Sequence, residues 1–249
     1  MLLKGKTAVV TGCNRGIGKA ILKKFAENGA DVFACVRKET DEFQERIKNL
    51  SEQSGVEIIP LYFDIRDAEA MKNAVGQIRK SHRKIDILVN NAGMISANLL
   101  FHMTPIENMR ELFEVNFFAQ IRLTQYISRL MQKNPDGGSI IFMSSIAALD
   151  GSPGQLEYVG SKAAVLGATK TLAREFGAYN IRVNAIAPGL IETDMGNQVD
   201  DKMANEIIDH SPLRRWGKPE EIANVALFLA SDLSSYVTGE FIRSSGGGV

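Results

Sequence analysis

Apolar runs alternate with amphipathic stretches from one end of the chain to the other. Residues 7–10 form a short apolar run ending in a glycine turn. Ile17, Ile21, Leu22 and Phe25 then recur at helical spacing until Asn28-Gly29. The same alternation predicts strands at 32–36, 56–59, 85–89, 139–143, 181–186 and 241–243. Between them it predicts helices at 41–50, 68–79, 106–131 and about 157–180, and a further helix within 196–210 that carries Met203, Ile207 and Ile208. Strands that are apolar throughout have both faces covered, and amphipathic connections of this length are crossovers. With right-handed crossovers the pattern reads as a doubly wound α/β fold. It has a parallel sheet of about seven strands, helices on both faces, and a single domain over 1–249.

Composition narrows the function. The chain has 249 residues, and its 29 basic residues balance 29 acidic ones. That balance gives no reason to expect nucleic acid or an anionic membrane as partner, and it is compatible with self-association. Cys13 and Cys35 are the two cysteines, too few for a disulfide framework. His82, His102 and His210 lack ligand spacing, so no metal site is expected. The N-terminus lacks the apolar core of a signal peptide, and no apolar run approaches the ~18 residues of a membrane span. A cytoplasmic protein is expected.

In such a sheet ligands bind beyond the carboxyl ends of the strands. The first strand runs into Thr11-Gly12-Cys13-Asn14-Arg15-Gly16-Ile17-Gly18. Glycines at these positions permit a tight turn, close approach of a pyrophosphate and close packing of the next helix, whose free N–H groups point at the phosphates. A steric need for glycine alone is the plainer alternative. After the second strand stand Val36-Arg37-Lys38, where an NAD site usually places Asp or Glu for the ribose 2′-hydroxyl. Arg37, with Arg15 from the glycine loop, suits a 2′-phosphate instead. This predicts NADP(H) in preference to NAD(H); a solvated basic pair is the alternative.

Tyr158 and Lys162 lie four apart on one predicted helix face. A cation near a phenol favours the phenolate and lowers its pKa from about 10. Ser144-Ser145 ends the preceding strand, where a hydroxyl can bond a substrate carbonyl. Asn90-Asn91-Ala92-Gly93 ends the fourth strand with small residues where a nucleotide needs room. Asn116 sits inside a predicted helix among Val115, Phe117 and Phe118, and is read as facing inward.

Taken together, Thr11-Gly12-x-x-x-Gly16-x-Gly18, Asn90-Asn91-Ala92-Gly93, Asn116, Ser145, Tyr158-x-x-x-Lys162 and Pro188-Gly189 resemble the short-chain dehydrogenase/reductase family over essentially the whole chain. The resemblance implies a Rossmann fold and an NAD(P)-dependent enzyme acting on CH–OH or C=O groups. It implies Tyr158 as general acid in reduction and base in oxidation. Lys162 would bond the nicotinamide ribose, Ser145 would orient the substrate oxygen, and Asn116 would hold a water in a proton relay. It also implies that Asp64 and Ile65 contact the adenine, Asn91 and Gly93 line the adenosine ribose, and Pro188, Gly189, Ile191 and Thr193 flank the nicotinamide.

Within the family, the stretches at 98–100, 188–195, 212–221 and 230–239 are similar to bacterial 3-oxoacyl-[acyl-carrier-protein] reductases. That implies an acyl-thioester substrate, a place in fatty acid biosynthesis, and an acyl carrier protein as partner. Asp136 departs from the pattern: a basic residue is common in that loop, and a carboxylate would repel an acidic carrier. Arg174, on the helix carrying Tyr158, keeps the other basic position the resemblance implies, and Arg122 and Arg129 are candidates to compensate. A sugar, polyol or other hydroxy-compound dehydrogenase is the alternative, and a non-catalytic nucleotide-binding protein a remote one. Residues 94–98, 149–156 and 190–199 are expected to face the substrate. The small residues Ala163, Ala164, Gly167 and Ala168 suggest close helix approach between subunits, and the resemblance implies a homotetramer.

Overall fold

The computed structural model describes residues 1–95, 98–199 and 201–247, leaving out the side chains of 201–203. Its seven strands are β1 (Thr7–Thr11), β2 (Asp31–Val36), β3 (Ile58–Tyr62), β4 (Ile87–Asn90), β5 (Gly138–Met143), β6 (Ile181–Pro188) and β7 (Phe241–Ser244). They pair in the order β3-β2-β1-β4-β5-β6-β7, every pair parallel. This is the doubly wound sheet expected from the sequence. Chain order reverses at β1, which pairs with β2 on one side and β4 on the other. That switch point opens a crevice at the carboxyl ends of the strands.

Side chains alternate across the sheet. Ala8 and Val10 belong to one apolar layer, with Ile21 and Phe25 of α1 (Gly16–Glu27), Phe43 and Ile47 of α2 (Asp41–Ser54), and Ile222 and Ala226 of α9 (Pro219–Ala230). Val9 belongs to the other, with Met71 and Ile78 of α3 (Ala68–Lys80), Leu123 and Ile127 of α5 (Ala119–Met131), and Val165 of α7 (Leu156–Phe176). The remaining helices are α4 (Ile106–Phe113), the single turn α6 (Ala147–Asp150) and α8 (Asp201–His210).

Several boundaries differ from the sequence expectation. The third strand is not 56–59 but Ile58–Tyr62. It contains Pro60, which argues against a strand unless that strand is at an edge, and β3 is an edge strand. The fourth starts two residues later than expected, at Ile87. The helix expected over 106–131 is broken by a π-helical turn at Glu114–Phe118, where the Ala119 N–H donates to Glu114 O five residues back. Helix α9 was not foreseen. Its mixed apolar sequence is buried against α1, and its N-terminus is set by Pro219 and by the Glu221 carboxylate accepting from Lys218 N at 2.7 Å. Met203 and residues 96 and 97, named in the sequence reading, lie outside the described side chains or residues.

Candidate active site

A cavity of about 1050 Å³ opens at the carboxyl ends of β1, β2, β4, β5 and β6. Gly12, Asn14, Arg15, Gly16, Ile17, Gly18, Arg37, Asp64, Ile65, Asn91, Ala92, Gly93, Ser145, Tyr158, Lys162, Pro188, Gly189, Ile191 and Thr193 all line it. Asn116 does not reach it; it is fully buried behind the wall.

The glycine turn is built for close approach. A Cβ on Gly18 would sit 2.1 Å from Gly12 O, and one on Gly12 would sit 2.8 Å from Asn91 Nδ2. Gly12 and Gly16 adopt positive φ, 73° and 52°. Helices α2 and α3 are capped by the Thr40 and Asp67 side chains, whereas α1 has no side-chain cap at Arg15. Gly16, Ile17 and Gly18 of its first turn line the cavity, where uncapped N–H groups can serve as anion donors. The turn is tied to β4 through Thr11. The Thr11 hydroxyl accepts from Asn91 N at 3.0 Å and Ala92 N at 2.9 Å, and Asn91 Nδ2 donates to Thr11 O at 2.9 Å. The Asn91 amide thus braces the turn. Thr11 opens the glycine motif read from the sequence but was given no role of its own there, although a threonine closing an apolar strand beside a glycine is its visible signal. These features fit a dinucleotide: an uncapped helix start, glycines that admit a phosphate, and small residues at Ala92 and Gly93.

At the adenine end, Arg37 and Lys38 are exposed at the end of β2. Arg15, expected to reach toward the same phosphate, pairs here with Asp194 at 3.2 Å across the cavity mouth. Asp64 is held by Arg66: the side chains meet at 2.8 and 3.1 Å, and Arg66 N donates at 2.9 Å. That guanidinium holds the Asp64 carboxyl down at about 2. Arg66 also reaches Glu111 at 3.2 Å and lines the cavity. Sequence reasoning passed over Arg66, although Asp64 stands only two residues before it; its second partner, Glu111, is 45 residues away.

At the other end, Ser144 and Ser145 separate in role. Ser144 is buried, and its Oγ donates to Lys162 O at 2.9 Å, fastening β5 to α7. Ser145 is half-buried on the cavity wall, its Oγ accepting from Ala147 N at 3.2 Å, and the Tyr158 phenol lines the same cavity. Burial pushes the Tyr158 pKa up, and the Ser145 contact works against that shift. The lowering expected from Lys162 is therefore not the governing effect in the protein alone. The Lys162 ammonium lies 6.0 Å from the Tyr158 ring centroid and donates to Met143 O at 2.9 Å. Burial brings its own pKa down from 10.5 to about 8.

Asn116 occupies the π-helical turn, and the extra residue there turns it inward. Its Oδ1 accepts from Met94 N at 2.9 Å, and its Nδ2 donates to Met94 O at 3.0 Å and Ser161 Oγ at 3.0 Å. Both amide donors are taken, so this side chain clamps the loop after β4 to α7. Asp136 precedes β5, at the end of the sheet opposite the cavity, and its charge is met by Lys84 at 3.0 Å. Among the described residues no group of three or more His, Cys, Asp or Glu side chains gathers as a metal would need. No helix there is long and apolar enough to cross a membrane.

Known proteins match this chain from end to end. A family model described as enoyl-(acyl carrier protein) reductase matches residues 12–248. The 3-oxoacyl-[acyl-carrier-protein] reductase of Thermotoga maritima is 41% identical over 250 residues, covering 99% of each chain. A 3alpha-hydroxysteroid dehydrogenase of Mediterraneibacter gnavus is also 41% identical, covering 99% of this chain and 98% of its own. Among solved structures, L-sorbose reductase from Gluconobacter frateurii, complexed with NADPH and L-sorbose, superimposes with a TM-score of 0.90. It is 33% identical and covers 99% of this chain and 97% of its own. The chain belongs to the short-chain dehydrogenase/reductase family and is an NAD(P)-dependent oxidoreductase.

Proposed function

We propose that the protein reduces the ketone of a 3-oxoacyl thioester with NADPH. The observation that carries this reading is a pair of hydroxyl side chains, Ser145 and Tyr158, lining one cavity with the Lys162 ammonium 6.0 Å from the Tyr158 ring centroid. When bound, the nicotinamide supplies the hydride to the carbonyl carbon. The chain's residues handle the oxygen. Ser145 donates a hydrogen bond that orients it, and Tyr158 delivers the proton as the oxygen gains charge. Burial keeps the phenol protonated at neutral pH, the state a proton donor requires. With its pKa near 8, Lys162 is mostly charged at pH 7 and stabilises the phenolate left behind. Asn116 acts as a positioning residue, fixing the loop through Met94.

Apolar side chains at the substrate end, Met94, Ile95, Leu190, Met195, Val199 and Ile207, suit an acyl chain better than a polyol. Ser152, Gln155, Glu206 and His210 on the same rim favour the second reading, a sugar or polyol substrate. The exposed basic pair Arg37–Lys38 supports NADP(H) over NAD(H). An acyl carrier protein remains the proposed donor of the thioester, because Lys84 neutralises Asp136 while Arg129 and Arg174 stay exposed. Ala163, Ala164 and Ala168 are only partly covered, and a Cβ added at Gly167 would meet nothing within 4 Å. That face supports helix-to-helix contact in a homotetramer, a cytoplasmic one on the sequence reading. A monomer by light scattering would remove the tetramer.

Steady-state reduction of a short 3-oxoacyl thioester with NADPH tests the reading. Tyr158→Phe is expected to lower kcat by about 10²–10⁴ while NADPH affinity is kept. Turnover of sugars or polyols with no thioester reduction would select the second reading.

A further inference from the structure

Outside the cavity, on α2, Arg46 holds an arrangement that the chemistry above does not use. Its guanidinium lies 5.2 Å from the Phe43 ring centroid and 3.6 Å from the Glu42 carboxylate. The side chain is 21% exposed, and its Nε is buried with no hydrogen-bond partner. Leaving a guanidinium N–H unpaired and dry is unfavourable, so the side chain is held there by what its far end touches. That end crosses to the glycine turn, where Nη2 donates to Asn14 O at 2.8 Å and to Asn14 Oδ1 at 3.2 Å. Asn14 lines the cavity.

An amide side chain has one acceptor oxygen and two donor hydrogens. The contact with Arg46 takes the oxygen and leaves the donors. We propose that Arg46 is a positioning residue: it fixes the Asn14 amide as a donor to the bound dinucleotide and so sets affinity for it. The proposal rests on the dinucleotide reading of the cavity.

The experiment is fluorescence titration of the full-length protein with NADPH and with NADH, for wild type, Arg46→Met, Asn14→Ala and the double variant. Arg46→Met is expected to raise the dissociation constant for NADPH about tenfold. The double variant is expected to bind no more weakly than Asn14→Ala, because the two side chains act as one unit. A third variant, Asn14→Asp, keeps the partner of Arg46 but removes the donors, and it is expected to bind more weakly than Asn14→Ala. Three results overturn the proposal: Arg46→Met binding like wild type, an undiminished Arg46→Met effect in the Asn14→Ala background, or Asn14→Asp binding like wild type. A wild-type protein that binds neither cofactor overturns the dinucleotide reading as well.

Discussion

Lys162 offers a test in which stability, rather than turnover, is read. Its ammonium is buried beside Tyr158 with Met143 O as its hydrogen-bond acceptor, and its pKa falls from 10.5 to about 8. The unfolded chain therefore binds this proton more tightly than the folded one. Below pH 8 the folded state carries the full cost of the buried charge, about 3 kcal/mol at 1.36 kcal/mol per pH unit. Between pH 8 and 10.5 the folded lysine is neutral while the unfolded one still holds its proton, so this contribution to stability rises with pH. Above 10.5 the cost is gone. Lys162→Met removes the charge and leaves Met143 O without its donor, a loss of about 1–3 kcal/mol that does not depend on pH. Other titrating groups are common to both proteins and cancel in the difference. Relative to wild type, the variant is expected to lose about 2 kcal/mol of advantage between pH 7 and pH 9.5. Urea unfolding at fixed protein concentration across that range gives the difference directly. A difference that stays flat to within about 0.5 kcal/mol would refute the assignment of a desolvated, charged lysine.

Three further outcomes follow from the geometry. Gly18→Ala drives a Cβ to 2.1 Å from Gly12 O, so it should destabilise the protein by about 3 kcal/mol or more and abolish NADPH binding, as denaturant titration and fluorescence would show. The two serines should separate: Ser144→Ala lowers stability by about 1 kcal/mol with kcat nearly kept, whereas Ser145→Ala lowers kcat with stability nearly kept. Arg37→Ala should raise KM for NADPH by about 10–100-fold and leave KM for NADH unchanged; equal losses with both cofactors would remove the 2′-phosphate role.

The sequence by itself determined the sheet and the place of the chemistry. Apolar runs such as Val9-Val10 and Val32–Val36, alternating with amphipathic stretches, argue for strands covered on both faces, and glycines at 12, 16 and 18 directly after the first of them mark a turn that admits a phosphate. Local spacing also put Tyr158 and Lys162 on one helix face. The tertiary structure decided what depends on partners far along the chain. Pro60 is a strand residue because β3 lies at an edge, and the π-helical turn at Asn116 exists where that amide meets Met94 and Ser161, 22 and 45 residues away. Arg46 and Lys84 acquired their roles from Asn14 and Asp136, neither of them within reach of a local pattern. Tyr158 shows the same division. Its neighbour four residues on was legible, but the sign of its pKa shift was not, because desolvation depends on every element that closes over the phenol. Periodicity is a property of short stretches of chain. Burial and charge pairing belong to the assembled molecule.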